Sequence, residues 1–343
     1  MNDMKDIFIL GIETSCDETS ISVVKNGRDV ISNIISSQID IHKLYGGVVP
    51  EIASRKHIEN IQYVYEEAIK KSNIKMEDVS AIAVTYGPGL VGALLVGLSF
   101  AKGLSIFYEK PFIGINHIEG HICSNYISNK ELEPPFIALI VSGGHTNLVH
   151  VIDYYHYKIY GRTMDDAVGE CFDKIARNLG FEYPGGAKIE KASHDGENGI
   201  FNFPRGVVRN SEFDFTYSGL KSHILNTINS LKMKNGELDK KTISNIALEL
   251  QNSIIDSLIY RTINLSKKLN VDKVAICGGV SANDCIKNAL KNELNKNNIK
   301  FYYPEKIYST DNAAMIASSG YYHYLKKEFS NLDLNAEPDL EFN

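Results

Sequence analysis

The chain has 343 residues, of which 43 % are hydrophobic and 23 % charged, and 42 acidic residues outweigh 36 lysines and arginines to leave a net charge of −6. That length suits two domains or one bilobed body, and the composition excludes a collagen-like, disulfide-scaffold or wholly disordered chain. The acidic balance argues against coating nucleic acid through bulk positive charge, while leaving local basic patches open.

Three strands open the chain: Ile7–Glu13, Ser20–Lys25 and Asp29–Ser36, each apolar or β-branched, with Asn26-Gly27 as a hairpin turn. A helix is predicted over Pro50–Ser72, where Ile58, Ile61, Val64, Tyr65 and Ala68 recur at three- and four-residue steps. Ala81–Thr85 reads as a buried strand, Gly87-Pro88-Gly89 as a break, and Leu90–Tyr108 as a buried core helix. The glycines, serines and Lys102 within that stretch argue against a membrane span. Phe112–Asn116 is a further strand, followed by a helix carrying His117 and His121. The prolines of Glu131–Pro135 mark a linker, after which the opening pattern recurs as strands Phe136–Ser142, Thr146–Ile152 and Tyr155–Tyr160. Asp165–Leu179 is predicted helical, with Asp165 and Asp166 in its acidic first turn. Phe181–Ser222 reads as a long Gly-, Pro- and Asn-rich loop, of the kind that is usually functional. An amphipathic helix over Ile243–Leu269 follows, then a strand at Val274–Cys277, a helix from about Ala282, a strand at Phe301–Tyr303 and a helix over Asp311–Leu325. The polar tail from Asn331 is expected to be loose.

Strand, polar turn, strand, turn, strand therefore appears twice, from residues 7 and 136, with negligible sequence identity between the copies. Two similar α/β lobes with a ligand cleft between them are the expected architecture. The five cysteines are scattered and form no Cys-x-x-Cys pair, and the first apolar run is too short for a secretory signal. Cytoplasmic residence is the expectation, with no membrane partner.

Three constellations can carry chemistry. In His117-Ile-Glu-Gly-His121 the imidazoles lie four residues apart, so on a helix they share a face and can reach one cation; two polar surface histidines are the alternative. The glutamate is third in this run and not second as in H-E-x-x-H, which weakens a metallopeptidase reading. The turns Gly11–Thr19, Val141–Thr146 and Cys277–Asn283 end hydrophobic strands in small or hydroxyl residues, whose N–H groups can approach phosphate oxygens. No G-x-x-x-x-G-K-[ST] occurs, which excludes a P-loop. In Tyr308–Asn312, Ser309 or Thr310 can cap the last helix, and Asp311 can supply the third ligand to a His-His cation site. Arg55, Lys56, Arg205, Arg209 and Lys221 can contact phosphates or serve solubility.

Taken together, eleven motifs, among them Gly11-Ile-Glu-Thr-Ser-Cys-Asp-Glu-Thr, Gly46-Gly-Val-Val-Pro-Glu, His117-Ile-Glu-Gly-His, Val141-Ser-Gly-Gly-His-Thr, Tyr183-Pro-Gly-Gly, Gly278-Gly-Val-Ser-Ala-Asn and Thr310-Asp-Asn-Ala-Ala-Met-Ile, resemble the bacterial TsaD-type tRNA adenosine threonylcarbamoyltransferases over residues 6 to 325. The resemblance implies an α/β, actin-like fold of two duplicated lobes with mixed sheets, shared with sugar kinases and heat-shock ATPases. The lobes would span residues 1–130 and 131–311, with a C-terminal helix from about 312 packing back on the first. It implies transfer of threonylcarbamoyl from threonylcarbamoyl-AMP to the exocyclic amine of the adenosine 3′ of the anticodon. The tRNAs concerned read codons beginning with A. A divalent metal, iron(II) first and zinc or magnesium as alternatives, would be held by His117, His121 and Asp311. Ile140, Val141, Ser142, Gly143, Gly144, Asp173, Gly186 and Asn283 would contact the adenylate. Glu190 stands near a position where members often carry Asp, and Asp17 and Glu18 are candidates for relaying the amine proton. A TsaB-like paralogue and a TsaE-like ATPase are the implied protein partners. The rival readings are an ATP-dependent phosphotransferase or ATPase of the same fold, a metallopeptidase, and a non-catalytic scaffold.

Overall fold

The structure, a computed structural model, describes residues 6–342. They form two compact units, one from the residues up to Glu133 together with those from Pro304 onward, the other Pro134–Tyr303.

The first unit is built on β1 (Phe8–Glu13), β2 (Glu18–Lys25), β3 (Asp29–Ser37), α1 (Ile39–His42), α2 (Pro50–Ser72), β4 (Ala81–Gly87), α3 (Val91–Tyr108), β5 (Phe112–Asn116) and α4 (His117–Ser128). The sheet order is β3-β2-β1-β4-β5, with β1–β3 antiparallel and β4 and β5 parallel to β1. Asn26 and Gly27 both take positive φ, 51° and 72°, the backbone that a two-residue hairpin requires. Strand alternation then sorts the core. Leu10, Ile12, Ile82 and Val84 face α2 and α3, whereas Ile9, Ala81, Ala83 and Ile113 face the opposite layer. On α2 the apolar stripe is Ala53, Ile61, Val64 and Ala68 with His57, while Ile58, assigned to that stripe from the sequence, is exposed. α3 is the one described helix long and apolar enough to cross a membrane. It buries Ala93, Leu94, Leu98 and Ala101 and leaves Leu95, Ile106 and Phe107 exposed, so only one face of the expected core helix is core.

The second unit contains β6 (Phe136–Val141), β7 (Thr146–Val151), β8 (Tyr157–Arg162), α5 (Val168–Asn178), α6 (Gly186–Ser193), α7 (Ser218–Asn235), α8 (Lys240–Leu269), β9 (Lys273–Cys277), α9 (Asp284–Lys296) and β10 (Lys300–Tyr302). Its sheet order, β10-β9-β6-β7-β8, repeats the first unit's connectivity with the same antiparallel and parallel pairs. The fold is α/β and duplicated, as the recurring strand pattern predicts.

Four further expectations need correction. The predicted loop 181–222 contains α6 and the start of α7. Its irregular remainder is pinned by Arg205, which donates to Glu249 at 2.5 Å and Asp256 at 2.9 Å, and by buried Arg261, which donates to the Asp214 carbonyl at 2.7 Å. Asp165 and Asp166 precede α5 and do not begin it. Asp165 accepts from Tyr217 N (2.7 Å), Ser218 N (3.1 Å), Ser218 Oγ (2.5 Å) and Thr216 Oγ1 (2.6 Å), so it caps α7 from a segment some fifty positions away, and Asp166 pairs with Lys174 and Lys221. The second unit ends at Tyr303, before the boundary expected near 311. α10 (Lys306–Ser309) packs on α4, and Glu305 N donates to Ser128 Oγ at 2.9 Å. Finally, the tail is fixed and not loose. Ser330 N donates to Phe112 O at 2.9 Å, Glu337 N to Tyr86 O at 2.8 Å, and Gly89 N to Pro338 O at 3.0 Å, while Lys102 Nζ reaches Leu334 O at 2.6 Å.

The last helix, α11 (Ala313–Lys326), lies on β1 and α4. Its contact residues Ala313, Ala317 and Gly320 are small, and Gly11 of β1 completes the close approach. A Cβ on Gly11 would stand 2.2 Å from the Ala313 carbonyl and 2.9 Å from the Ala317 Cβ. This tight seat brings residue 311 to the start of α4.

Candidate active site

α4 begins at His117 because Asn116 caps it, its Oδ1 accepting Ile118 N at 2.8 Å. His117 and His121 then stand one turn apart with ring centroids 4.6 Å apart. Asp311, just ahead of α11, completes the group. Its Oδ1 lies 3.5 Å from His117 Nε2 and 3.2 Å from His121 Nε2, and one ligand atom from each of the three residues falls within 4.8 Å of the others. The two histidines are buried and Asp311 keeps 21 % of its side-chain exposure, so the group opens on the carboxylate side.

The electrostatics suit a cation. Burial would lower the His117 pKa, but Asp311 and Glu13 on either side outweigh it and raise it to about 9. His121 is driven the other way, down, chiefly by burial, against the pull of the neighbouring Asp311 carboxylate. A neutral imidazole beside a carboxylate, and a second imidazole whose proton a cation can replace, form the N,N,O donor set of many divalent-metal sites. His121 is completely buried and neither ring nitrogen has a hydrogen-bond partner of good geometry among the described residues, which is costly unless something occupies the space before it. The residues therefore fit a metal ion.

Asp17 in the turn between β1 and β2, and Glu18 at the start of β2, are both buried. Burial first, then Asp17 and Asp311, push the Glu18 carboxyl well above the carboxylate range. The same causes, burial and the acids around it, push the Cys16 thiol well up, which argues against a nucleophilic thiolate. His57 holds this turn, its Nε2 donating to Cys16 O at 2.9 Å and its Nδ1 lying 2.8 Å from Thr19 Oγ1.

The remaining sequence-predicted residues lie in the second unit. Ile140 sits at the carboxyl end of β6, paired with Cys277 of β9, so the turns after both strands emerge side by side, the usual place for a ligand in an open α/β sheet. Gly278, with φ +88°, allows their contact, since a Cβ there would lie 2.4 Å from Val141 O. Ser142 closes its turn through Ser142 N to His145 O (2.9 Å) and His145 N to Ser142 Oγ (3.0 Å), while Gly143 and Gly144 are exposed with open space around them. Asn283 caps α9, accepting Ile286 N at 3.0 Å, and its amide donates to Gln251 Oε1 at 2.8 Å. Asp173 Oδ1 accepts Gly185 N at 2.7 Å, next to Gly186, and burial raises its pKa despite the Gly185 and Gly186 N–H groups. Glu190 accepts Asp284 N at 2.6 Å, beside Asn283. Of the residues considered for phosphate contact, Arg55, Lys56, Arg205 and Lys221 are each paired with an acid of their own unit.

Sequence reasoning assigned no role to Glu13, Ser15, Thr85 or Gln251. The available signal was a glutamate at a core-facing position at the end of an otherwise apolar strand.

A family profile described as TsaD, tRNA N6-adenosine threonylcarbamoyltransferase, matches residues 29–318. The tRNA N6-adenosine threonylcarbamoyltransferase of Clostridium novyi (strain NT) is 52 % identical over 338 residues, 98 % of either chain. That of Clostridium perfringens (strain SM101 / Type A) is 51 % identical over 337 residues, again 98 % of either chain. Among solved structures, T. kodakarensis HypF superposes with a TM-score of 0.64 at 14 % identity, over 96 % of this chain and 49 % of that one. Component A of the Acidaminococcus fermentans (R)-2-hydroxyglutaryl-CoA dehydratase does so with a TM-score of 0.52 at 14 % identity, over 93 % of this chain and 99 % of that one. These two share the actin-like fold with this chain, and at that identity they speak to the fold alone. Matched along almost its whole length, the chain belongs to the TsaD family of tRNA N6-adenosine threonylcarbamoyltransferases.

Proposed function

We propose that this chain transfers the threonylcarbamoyl group from threonylcarbamoyl-AMP to the exocyclic amine of the adenosine 3′ of the anticodon, in tRNAs reading codons that begin with A. The observation that carries this reading is 52 % identity over 98 % of the chain with a protein named for that activity. Threonylcarbamoyl-AMP is a mixed anhydride, so its carbonyl carbon is already electrophilic and AMP is a good leaving group. A bond forms between the amine nitrogen and the carbonyl carbon, the carbonyl–phosphate bond breaks, and the amine loses a proton. No enzyme nucleophile is needed; the protein orients both partners and stabilises charge that grows on oxygen.

His117, His121 and Asp311 would hold a divalent cation. Two imidazoles and one carboxylate favour iron(II) or zinc over magnesium, which prefers oxygen ligands throughout. When bound, such an ion supplies Lewis-acid stabilisation of the substrate's oxygens. In the second unit, Ile140, Val141, Ser142, Gly143 and Gly144 would contact the adenylate, the exposed turn at Gly143 and Gly144 presenting its N–H groups, together with Asp173, Gly186 and Asn283 and, beside them, Glu190. Asp17 and Glu18 would relay the amine proton. An acidic enzyme needs a local basic groove or a partner's basic surface to bind tRNA; a TsaB-like paralogue and a TsaE-like ATPase fill that role in this reading, which places the chain in the cytoplasm.

The test is nucleoside mass spectrometry after incubating the chain with those partners, the adenylate-forming enzyme, ATP, threonine, bicarbonate and unmodified tRNA. Threonylcarbamoyladenosine is expected, and it should disappear in folded H117A and D311A. Phosphorylation of a small molecule or cleavage of a peptide without tRNA would overturn the reading.

A further inference from the structure

Glu13 ends β1 on the alternation that turns Ile9 and Gly11 toward α4 and α11, and its side chain is fully buried. β1 and β4 run parallel with Ile12 opposite Val84, so Thr85 of β4 lies on the same face beside it. A buried carboxylate is costly unless its lone pairs are engaged. Here they are. Oε1 accepts Ser15 N at 2.5 Å, and Oε2 accepts the Thr85 hydroxyl at 2.6 Å and lies 3.1 Å from His117 Nδ1. The Ser15 hydroxyl stands 3.2 Å from the same Nδ1. An apolar residue would pack at this core position without that cost, so the acid calls for an explanation beyond the fold.

We infer that Glu13 is a positioning residue for the cation group: by accepting the Nδ1 proton of His117 it fixes the ring and leaves Nε2 directed at Asp311 and His121. Orientation of a ligating imidazole by an outer carboxylate also raises its basicity as a ligand. The control is asymmetric, because His121 Nδ1 is buried with no hydrogen-bond partner among the described residues. Glu13 thus governs one ligand of the group, through one ring. This inference rests on the metal reading proposed above.

The experiment titrates the full-length chain, as wild type, Glu13→Gln, Glu13→Ala, Thr85→Val and His117→Ala, with Co(II), following visible absorption, with circular dichroism as the fold check. Wild type should bind one ion, and His117→Ala should lose the ligand-field spectrum. Glu13→Gln, which keeps the volume but not the charge, is expected to raise the Kd about 10-fold and Glu13→Ala about 100-fold, each with an altered spectrum. Thr85→Val keeps the carboxylate–imidazole contact and should move the Kd least. A folded Glu13→Gln with the wild-type Kd and spectrum overturns the inference. A second readout needs no variant: in Zn(II)-loaded wild type carrying 15N-histidine, His117 should be protonated at Nδ1 with that proton slow to exchange. Protonation at Nε2, or a fast-exchanging Nδ1 proton, overturns it even if the Glu13 variants do not fold. If wild type takes up neither Co(II) nor Zn(II), the metal reading itself fails and Glu13's role falls with it, an outcome distinct from failure of Glu13 alone.

Discussion

The tight seat of α11 on β1 predicts opposite outcomes for two glycine-to-alanine substitutions in the same unit. In Gly11→Ala the new methyl would stand 2.2 Å from the Ala313 carbonyl and 2.8 Å from Ala317 N, so the contact is with backbone that cannot rotate away. The helix must shift, at an overpacking cost of about 1–3 kcal/mol. Each kcal/mol lowers Tm by about 2–4 °C in a body of 150–250 residues, which sets a drop of roughly 2–12 °C. Because Asp311 lies two residues before Ala313, the shift should also weaken metal binding. Gly103→Ala is the counter-case. Gly103 sits inside α3, exposed, and a methyl added there would meet nothing within 4 Å, so the substitution should stabilise by about 0.5–1 kcal/mol through helix propensity. Paired thermal melts and Co(II) titrations of the two variants read both effects. Equal Tm for the two, or wild-type Co(II) affinity in a destabilised Gly11→Ala, would refute the link from helix seat to site.

Further outcomes follow from single contacts. Burial lowers the pKa of His323, but its bonds to Glu119 (3.0 Å) and Glu328 (2.8 Å) outweigh it and raise it from 6.5 to about 9. A histidine raised in the folded state contributes stability that is fully present below the unfolded pKa and lost as pH rises through the folded one. The Tm gap between wild type and His323→Gln should therefore be largest near pH 6 and close above pH 9; a gap that widens with pH contradicts this. Removing the residues after Ser330 strips partners from Tyr86 O, Gly89 N and Lys102 and takes away Leu334, which packs on the core, so Tm should fall and proteolysis of the first unit accelerate. Asp165→Ala removes the acceptor of four bonds at the start of α7, and urea unfolding should report a loss of about 0.5–2 kcal/mol.

Much of the fold is legible locally. The hairpin at Asn26-Gly27 and the strands around it need only β-branched runs and a turn that tolerates positive φ, and α2 needs only its four-residue repeat and Pro50 at its first turn. The duplicated start is readable because both units must build the same three-stranded edge. α7 has Leu220, Ile224 and Ile228 at four-residue steps, but the cap that starts it comes from Asp165, far away in sequence, and the irregular segment before it hides its beginning. The tail is held by isolated backbone hydrogen bonds, which leave no periodic trace. For the site, His117 and His121 announce themselves by spacing. Asp311 does not, because its place depends on how closely α11 approaches β1; the residues offered it as a third ligand beside a plain helix-cap segment, and the motif resemblance singled it out. Glu13 was visible as a residue but not as a partner, since its meaning lies in the parity of β1 and the turn of α4 above it.

The most direct measurement is single-turnover transfer from preformed threonylcarbamoyl-AMP to unmodified tRNA, using wild type with its partners before metal removal, after chelation, and after reloading with iron(II) or zinc. Modified adenosine is expected in the first and third conditions, little in the second, and no recovery in His121→Ala or Asp311→Ala on reloading. Full transfer by the chelated protein, or reloading that restores the His121→Ala variant to wild-type yield, would contradict it.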